Sequence, residues 1–91
     1  MSMSAFPNPV TGNKFNVRFR SENTKTLQLK LTDAVTGKII LTKQVNASRG
    51  ENIVPVEMNS NEVHKIMIVN LDGTGVDNSK YKPIKIMAGK Y

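Results

Sequence analysis

Apolar and polar residues alternate over several short stretches of this chain. In residues 14–20 every second residue is apolar, and residues 27–32 repeat the pattern with leucine. Successive side chains of a β-strand point to opposite faces, so a period of two predicts strands with one buried and one wet face.

The leucine strand is predicted to begin a central hairpin. Gly37 lies in the polar connection that follows it and can adopt the positive φ that closes such a turn. The return strand is rich in isoleucine and leucine, and we expect Ile39 and Leu41 to face inward. Ile40 would replace them if a bulge at Gly37 shifts the phase.

The rest of the chain supplies further strands. Two prolines within residues 5–9 exclude a helix and favour an extended edge segment or a turn. Residues 51–58 alternate again, but Pro55 cannot donate to a ladder and indicates an edge position or a bulge. The nearly continuous apolar run of residues 63–71 predicts a strand buried towards the centre of the sandwich rather than at its rim. Residues 81–88 are expected to form the closing strand.

Six or seven short strands without a credible helix predict an all-β fold, an antiparallel β-sandwich of about seven strands. Residues 5–91 are expected to form one domain, preceded by linker residues 1–4. The expected core consists of the inward residues Phe15, Val17, Phe19, Leu27, Leu29, Leu31, Val54, Val56, Ile66, Ile68, Ile84 and Ile86.

The net charge of the chain indicates which classes of partner it could bind. Thirteen Lys and Arg against seven Asp and Glu give a net charge of +6, which favours contact with polyanions. Nucleic acid is not expected, because Phe15 and Phe19 alternate with Arg18 and Arg20 and so point to the opposite face. The chain has no cysteine, and it has no apolar run of the roughly 20 residues that cross a bilayer.

Candidate chemistry is sparse. The single histidine, His64, starts an apolar run and has no motif partners, so a space-filling role is favoured over catalysis and no enzyme is predicted. No metal cluster or cofactor motif occurs in the sequence. Residues 72–78 have a composition that could suit calcium, although an ordinary loop is favoured. Asn46 begins a glycosylation acceptor tripeptide of a kind that arises by chance.

Several short motifs occur in a characteristic order. Pro7-Asn8-Pro9 opens the chain, Gly37-Lys38 closes the central turn, and lysines crowd the end of the chain. In this order and spacing the chain resembles the C-terminal sorting domain of type IX secretion cargo in Bacteroidetes.

The resemblance implies an Ig-like sandwich at the end of an exported protein. Such a domain is read by the outer-membrane translocon and then removed by a sortase-like peptidase, which joins the cargo to anionic lipopolysaccharide. The implied location is the periplasm in transit and then the cell surface. By position, the recognition residues would be Pro7, Asn8, Pro9, Gly37, Lys38, Lys85, Gly89 and Lys90.

The chain also departs from the family pattern. Glu62, Val63 and His64 stand where the family has glycine, a spacer and tyrosine, and a tyrosine follows the last lysine. These departures leave an alternative open, an Ig-like or carbohydrate-binding accessory module that is retained on a mature surface protein.

Overall fold

A computed structural model describes residues 3–58, 66–73 and 81–87 of the chain. These residues contain seven strands: β1 (Met3–Thr11), β2 (Lys14–Ser21), β3 (Lys25–Asp33), β4 (Ile39–Ala47), β5 (Gly50–Glu57), β6 (Ile66–Gly73) and β7 (Ile84–Met87). All strand pairs are antiparallel. One sheet has the order β1-β2-β5 and the other β4-β3-β6-β7. The prediction of an all-β, antiparallel β-sandwich of about seven strands is confirmed.

The alternation in the sequence matches the burial of most strands. The inward residues expected for β2, β3 and β5 are all buried, and they form one core with inward residues of β6 and β7. β5 lies at the edge of its sheet, as Pro55 predicted, and β6 lies between β3 and β7, as its apolar run predicted. The core therefore fills the space between two sheets whose outer faces remain available for contact.

The expected inward residues of β6 are wrong. Ile66 and Ile68 are only half-buried, whereas Met67, Val69 and Leu71 are buried. Residues that lie directly opposite in an antiparallel pair share a face of the sheet. β6 aligns Leu71 and Val69 with two buried leucines of β3, and this pairing selects the face.

A β-bulge determines which residues of β4 face inward. Leu31 lies opposite Leu41 and Thr32 opposite Ile39, so Ile40 is one extra residue in β4. Leu41 faces inward as expected. Ile39 does not: it lies on the outer face and is 52% exposed. Ile40 packs against the core, as the alternative proposed, with the bulge at Ile40 itself rather than at Gly37.

The two terminal strands differ in length from the sequence prediction. β1 begins at Met3, which is buried opposite Phe19, so the ordered domain extends into the expected linker. β7 spans only four residues. Its Ile86 is fully buried as predicted, while Ile84 is half-buried and packs against the core.

Candidate functional site

Strand directions bring separated pieces of the sequence motif to one end of the sandwich, here called the hairpin end. β2 leads into β3 through residues 22–24, so the start of β2 and the end of β3 lie at the same end. There Thr11, which ends β1, pairs with Lys14. The turn between β3 and β4, which contains Gly37 and Lys38, lies at this end as well.

The closing strand β7 runs towards the hairpin end. Its last residue, Met87, lies opposite Ile66, the first residue of β6. Lys85 is exposed on the outer face of the sheet. Gly89 and Lys90 lie outside the described residues. The described motif residues of β7 and of the β3–β4 turn therefore share one region of the surface.

The Pro-Asn-Pro segment interrupts the pairing of β1. Pro7, Asn8 and Pro9 lie where the register against β2 shifts, between Phe6 and Thr11. The Phe6–Pro7 peptide bond is cis, and Pro7 is exposed. Because this segment ends near the start of β2, it lies towards the hairpin end, in the sheet opposite Lys85.

The β3–β4 turn is held by its own first residue. The Asp33 carboxylate accepts the N–H groups of Val35 and Thr36 at 2.7 and 3.3 Å. The Gly37 N–H donates to the Asp33 carbonyl at 2.9 Å, and the Asp33 N–H donates to the Lys38 carbonyl at 2.8 Å. Gly37 has a φ of 78° with open space around the position of a Cβ, so only the backbone conformation disfavours other residues there. The turn thus presents Val35 and Lys38 in a defined arrangement.

Asp33→Ala should lower the free energy of unfolding by about 1–2 kcal/mol, because two turn N–H groups lose a charged acceptor. Asp33→Asn keeps a side-chain oxygen and should cost clearly less. Urea denaturation of the two variants measures both effects. Equal losses for alanine and asparagine would contradict the role of the acceptor oxygen.

An apolar patch lies on the outer face of the four-stranded sheet at the hairpin end. One row of outward residues crosses all four strands: Ile39, Thr32, Ile68 and Lys85. The next row places Ile66 beside Met87. Ile39 is 52% exposed and Met87 42%, and the other two apolar residues are half-buried. These four residues, Ile39, Ile66, Ile68 and Met87, are called the apolar patch.

Lysines surround the apolar patch. Lys38 precedes it in the chain and Lys85 ends its main row, and both are exposed. Lys30 lies on the outer face in the following row, opposite Asn70. The described outer face of this sheet has one acid, Asp72, four residues along β6 from the patch and so about 13 Å away. This end of the sheet is therefore apolar and positively charged.

The outer face of the three-stranded sheet brings an aromatic ring to an arginine. Phe6 lies opposite Asn16, and the guanidinium carbon of Arg18 lies 5.0 Å from the centre of the Phe6 ring, a cation–π contact. This contact is not evident from the sequence, because Phe15 and Phe19 on the arginine strand itself point inward. The ring comes from the neighbouring strand, and only the pairing of β1 with β2 reveals it.

Two of the three basic residues on the described part of this second face lie opposite acids. Arg20 is opposite Glu51, and Lys14 is opposite Glu57. A depression of about 540 Å³ is lined by residues that include Lys14, Asn16, Pro55 and Glu57, and one of about 220 Å³ lies nearer Arg18 and Arg20. Lys14 and Arg20 thus each have an acid opposite on this sheet, in contrast to Lys38 and Lys85 at the hairpin end of the other sheet.

Different contacts join the two sheets at the two edges of the sandwich. On one side Lys43 faces inward from β4, opposite Leu29, and its Nζ donates to the Pro55 carbonyl of β5 at 2.8 Å. On the other side β1 comes within 8 Å of β7, measured between Cα atoms. The free edge of β7 therefore lies alongside β1, whereas the outer face of β7, with Lys85 and Met87, is open.

The remaining sequence candidates add no site among the described residues. No group of three or more acidic or histidine side chains in that part of the chain could hold a metal ion. His64 and residues 74–78 of the calcium candidate lie outside it, and Asn46 is exposed on β4. None of the described elements is a helix long and apolar enough to cross a membrane.

Comparison of the chain with protein-family models, with curated proteins and with solved structures found no match.

Proposed function

We propose that this domain is a non-catalytic C-terminal secretion signal that directs its cargo across the outer membrane through the type IX secretion system. The proposal starts from the order and spacing of the Pro-Asn-Pro opening, the Gly37-Lys38 turn and the lysine-rich end. The translocon would read the folded domain, and a sortase-like peptidase would then remove it and join the cargo to lipopolysaccharide.

The positions of the motif residues in the fold give further support to the proposal. The described motif positions are separated by up to 78 residues in the chain, from Pro7 to Lys85, and they all lie towards the hairpin end. A receptor that contacts this one end of the sandwich would meet all of them at once. Residues that served only to close separate turns would not need to share an end.

Lys85 is the best placed of the described lysines for such a contact. It is exposed on β7, while the next residue, Ile86, is fully buried and fixes the strand to the core. The folded strand fixes the backbone of Lys85 before binding, which lowers the entropic cost of recognition. Docking on the outer face of β7 also leaves β1 in place, whereas addition of a strand at the β7 edge would require β1 to move.

The test is the export of a fluorescent carrier that bears an ordinary signal peptide and this domain at its C-terminus, in a host with type IX secretion. Lys85→Glu should reduce export by about tenfold, since it places like charge against a receptor surface that is complementary to lysine. Arg49→Glu is the matched control. Arg49 is exposed, lies in the turn between β4 and β5 at the opposite end of the sandwich, and its substitution changes the net charge equally.

Circular dichroism and urea denaturation verify that both variants fold, as expected for exposed positions. A wild-type fusion that stays in the periplasm would refute the sorting function. Export of Lys85→Glu at the level of the Arg49→Glu control would refute the contact at Lys85 while leaving the sorting function intact.

A second candidate function is a retained carbohydrate-binding accessory module. The contact of Phe6 with Arg18, beside the Asn16 amide, supports it, because sugar-binding surfaces combine aromatic rings with a few polar groups. Glycan binding by the mature protein, lost in Phe6→Ala, would favour this function. Absence of the domain from the mature protein would exclude it.

A further inference from the structure

The apolar patch is unusual for the outer face of a two-layer sandwich. The wet face of an antiparallel sheet normally carries polar residues. Single exposed apolar residues are common and need no explanation, and Ile53 on the other sheet is one, 52% exposed. The patch instead brings together apolar residues of three strands, with Thr32 between Ile39 and Ile68, and clustered exposed apolar residues indicate a contact site.

The exposed residues around the patch extend it towards the β3–β4 turn. Val35 lies in this turn and is 81% exposed, the highest value among the large apolar residues of the described chain. The Ala34 N–H in the same turn donates to the Ile66 carbonyl at 3.1 Å, so the turn is attached directly to the strand that bears the centre of the patch. The turn and the patch therefore lie next to each other at the same end of the sheet.

The charged residues around the apolar patch indicate the chemistry of the partner that would cover it. Exposed Lys38 and Lys85 flank the patch, and the one acid on the described outer face, Asp72, lies two rows away. A partner that covered the patch with a neutral or basic surface would leave both lysines without a counter-charge. Carboxylates around an apolar centre would match the patch in both respects.

We infer that the apolar patch is a docking surface for a protein segment whose apolar side chains are flanked by carboxylates. A protein fits better than a membrane, because the central isoleucines of the patch are half-buried between strands. Membrane-bound surfaces instead insert apolar groups about 5–10 Å into the acyl boundary. Thr42 and Asn70 lie in the row next to the patch, and an apolar centre with a polar rim is the usual composition of a protein interface.

The inference deepens the proposed function by giving the chemistry of the partner at the same end of the domain. It rests on that function only for the identity of the partner, because the surface itself can be tested with a defined probe.

The probe is a synthetic peptide in which valine and leucine alternate with glutamate, added to the ¹⁵N-labelled domain. We expect chemical-shift changes at the amides of Ile39, Ile66, Ile68, Lys85 and Met87. The same peptide with lysine in place of glutamate should bind at least about tenfold more weakly. Phosphatidylglycerol vesicles serve as the lipid comparison.

Two isoleucines provide a matched pair of variants. Ile39 and Ile53 are both 52% exposed, and both lie on edge strands, but only Ile39 belongs to the patch. Ile39→Ser should weaken binding of the glutamate peptide about tenfold, as expected for loss of roughly half an isoleucine burial. Ile53→Ser should leave binding unchanged. Met87→Ser provides a second patch variant if Ile39→Ser does not fold.

Several results would overturn the inference. These are the absence of shift changes at the patch, equal binding of the lysine peptide, equal effects of the two isoleucine variants, or binding to the vesicles but not to the glutamate peptide.

The export assay then separates the two proposals. If the wild-type fusion is exported, Ile39→Ser should reduce export and Ile53→Ser should not, and equal export of the two variants would count against the patch. If the wild-type fusion stays in the periplasm, the sorting function fails. The peptide experiment still decides whether the patch binds acidic protein segments.

Discussion

Replacing Tyr81 with alanine should lower the free energy of unfolding by about 3–5 kcal/mol, the usual cost of removing a large buried ring. Tyr81 is buried, and its ring packs edge to face against Phe19 with the ring centres 5.4 Å apart. Its hydroxyl donates to the Arg20 carbonyl at 2.7 Å, and its N–H donates to the Leu71 carbonyl at 3.1 Å. One side chain thus joins the segment before β7 to the end of β2 in the other sheet.

Tyr81→Phe separates the hydroxyl from the ring. This variant should cost about 1 kcal/mol, because the Arg20 carbonyl loses its donor while the packing remains. Urea denaturation measures both losses, and hydrogen exchange of the β7 amides should quicken more in Tyr81→Ala than in Tyr81→Phe. An alanine variant as stable as the phenylalanine variant would show that the ring does not anchor β7.

The anchoring of β7 also bears on recognition. Lys85 keeps its place on the surface only while β7 stays on the sheet, and Tyr81 and Ile86 hold the strand before and after Lys85. We therefore expect Tyr81→Ala to reduce export even though Tyr81 is buried and cannot touch a partner.

Leu29→Ala should lower the free energy of unfolding by about 2–5 kcal/mol. Leu29 is fully buried at the centre of β3, between Lys43 of β4 and Leu71 of β6. The sandwich is two layers thick and β3 is paired on both sides, so neighbouring side chains have little freedom to fill the space that the substitution leaves.

Ile68→Ala is the informative comparison for Leu29→Ala. Ile68 belongs to the core in the sequence prediction, but it lies half-buried on the outer face, so its loss should cost only about 1 kcal/mol. Urea midpoints at constant slope give the two values. A loss for Ile68→Ala as large as that for Leu29→Ala would contradict the orientation of β6.

In β6 the local pattern of apolar and polar residues does not identify the buried face. β2 and β3 interleave apolar with charged or polar residues, and for these strands the alternation alone identifies the buried face. Residues 66–69 of β6 are apolar without interruption, so both faces look equally suited to burial. Its pairing with β3, Leu71 opposite Leu29 and Val69 opposite Leu31, is a contact between distant parts of the chain and settles the choice.

The features of the candidate site likewise depend partly on the local sequence and partly on contacts between distant parts of the chain. The sandwich class, the Gly37 turn and the edge position of Pro55 could be predicted from the sequence, because these depend on side-chain period and on backbone restrictions of single residues. That Ile39 lies with Ile68 and Met87 on the outer face, and that Phe6 contacts Arg18, is evident only in the folded chain. Those contacts depend on strand register and on a one-residue bulge at Ile40, which the free energy of packing the whole core selects and no short segment encodes.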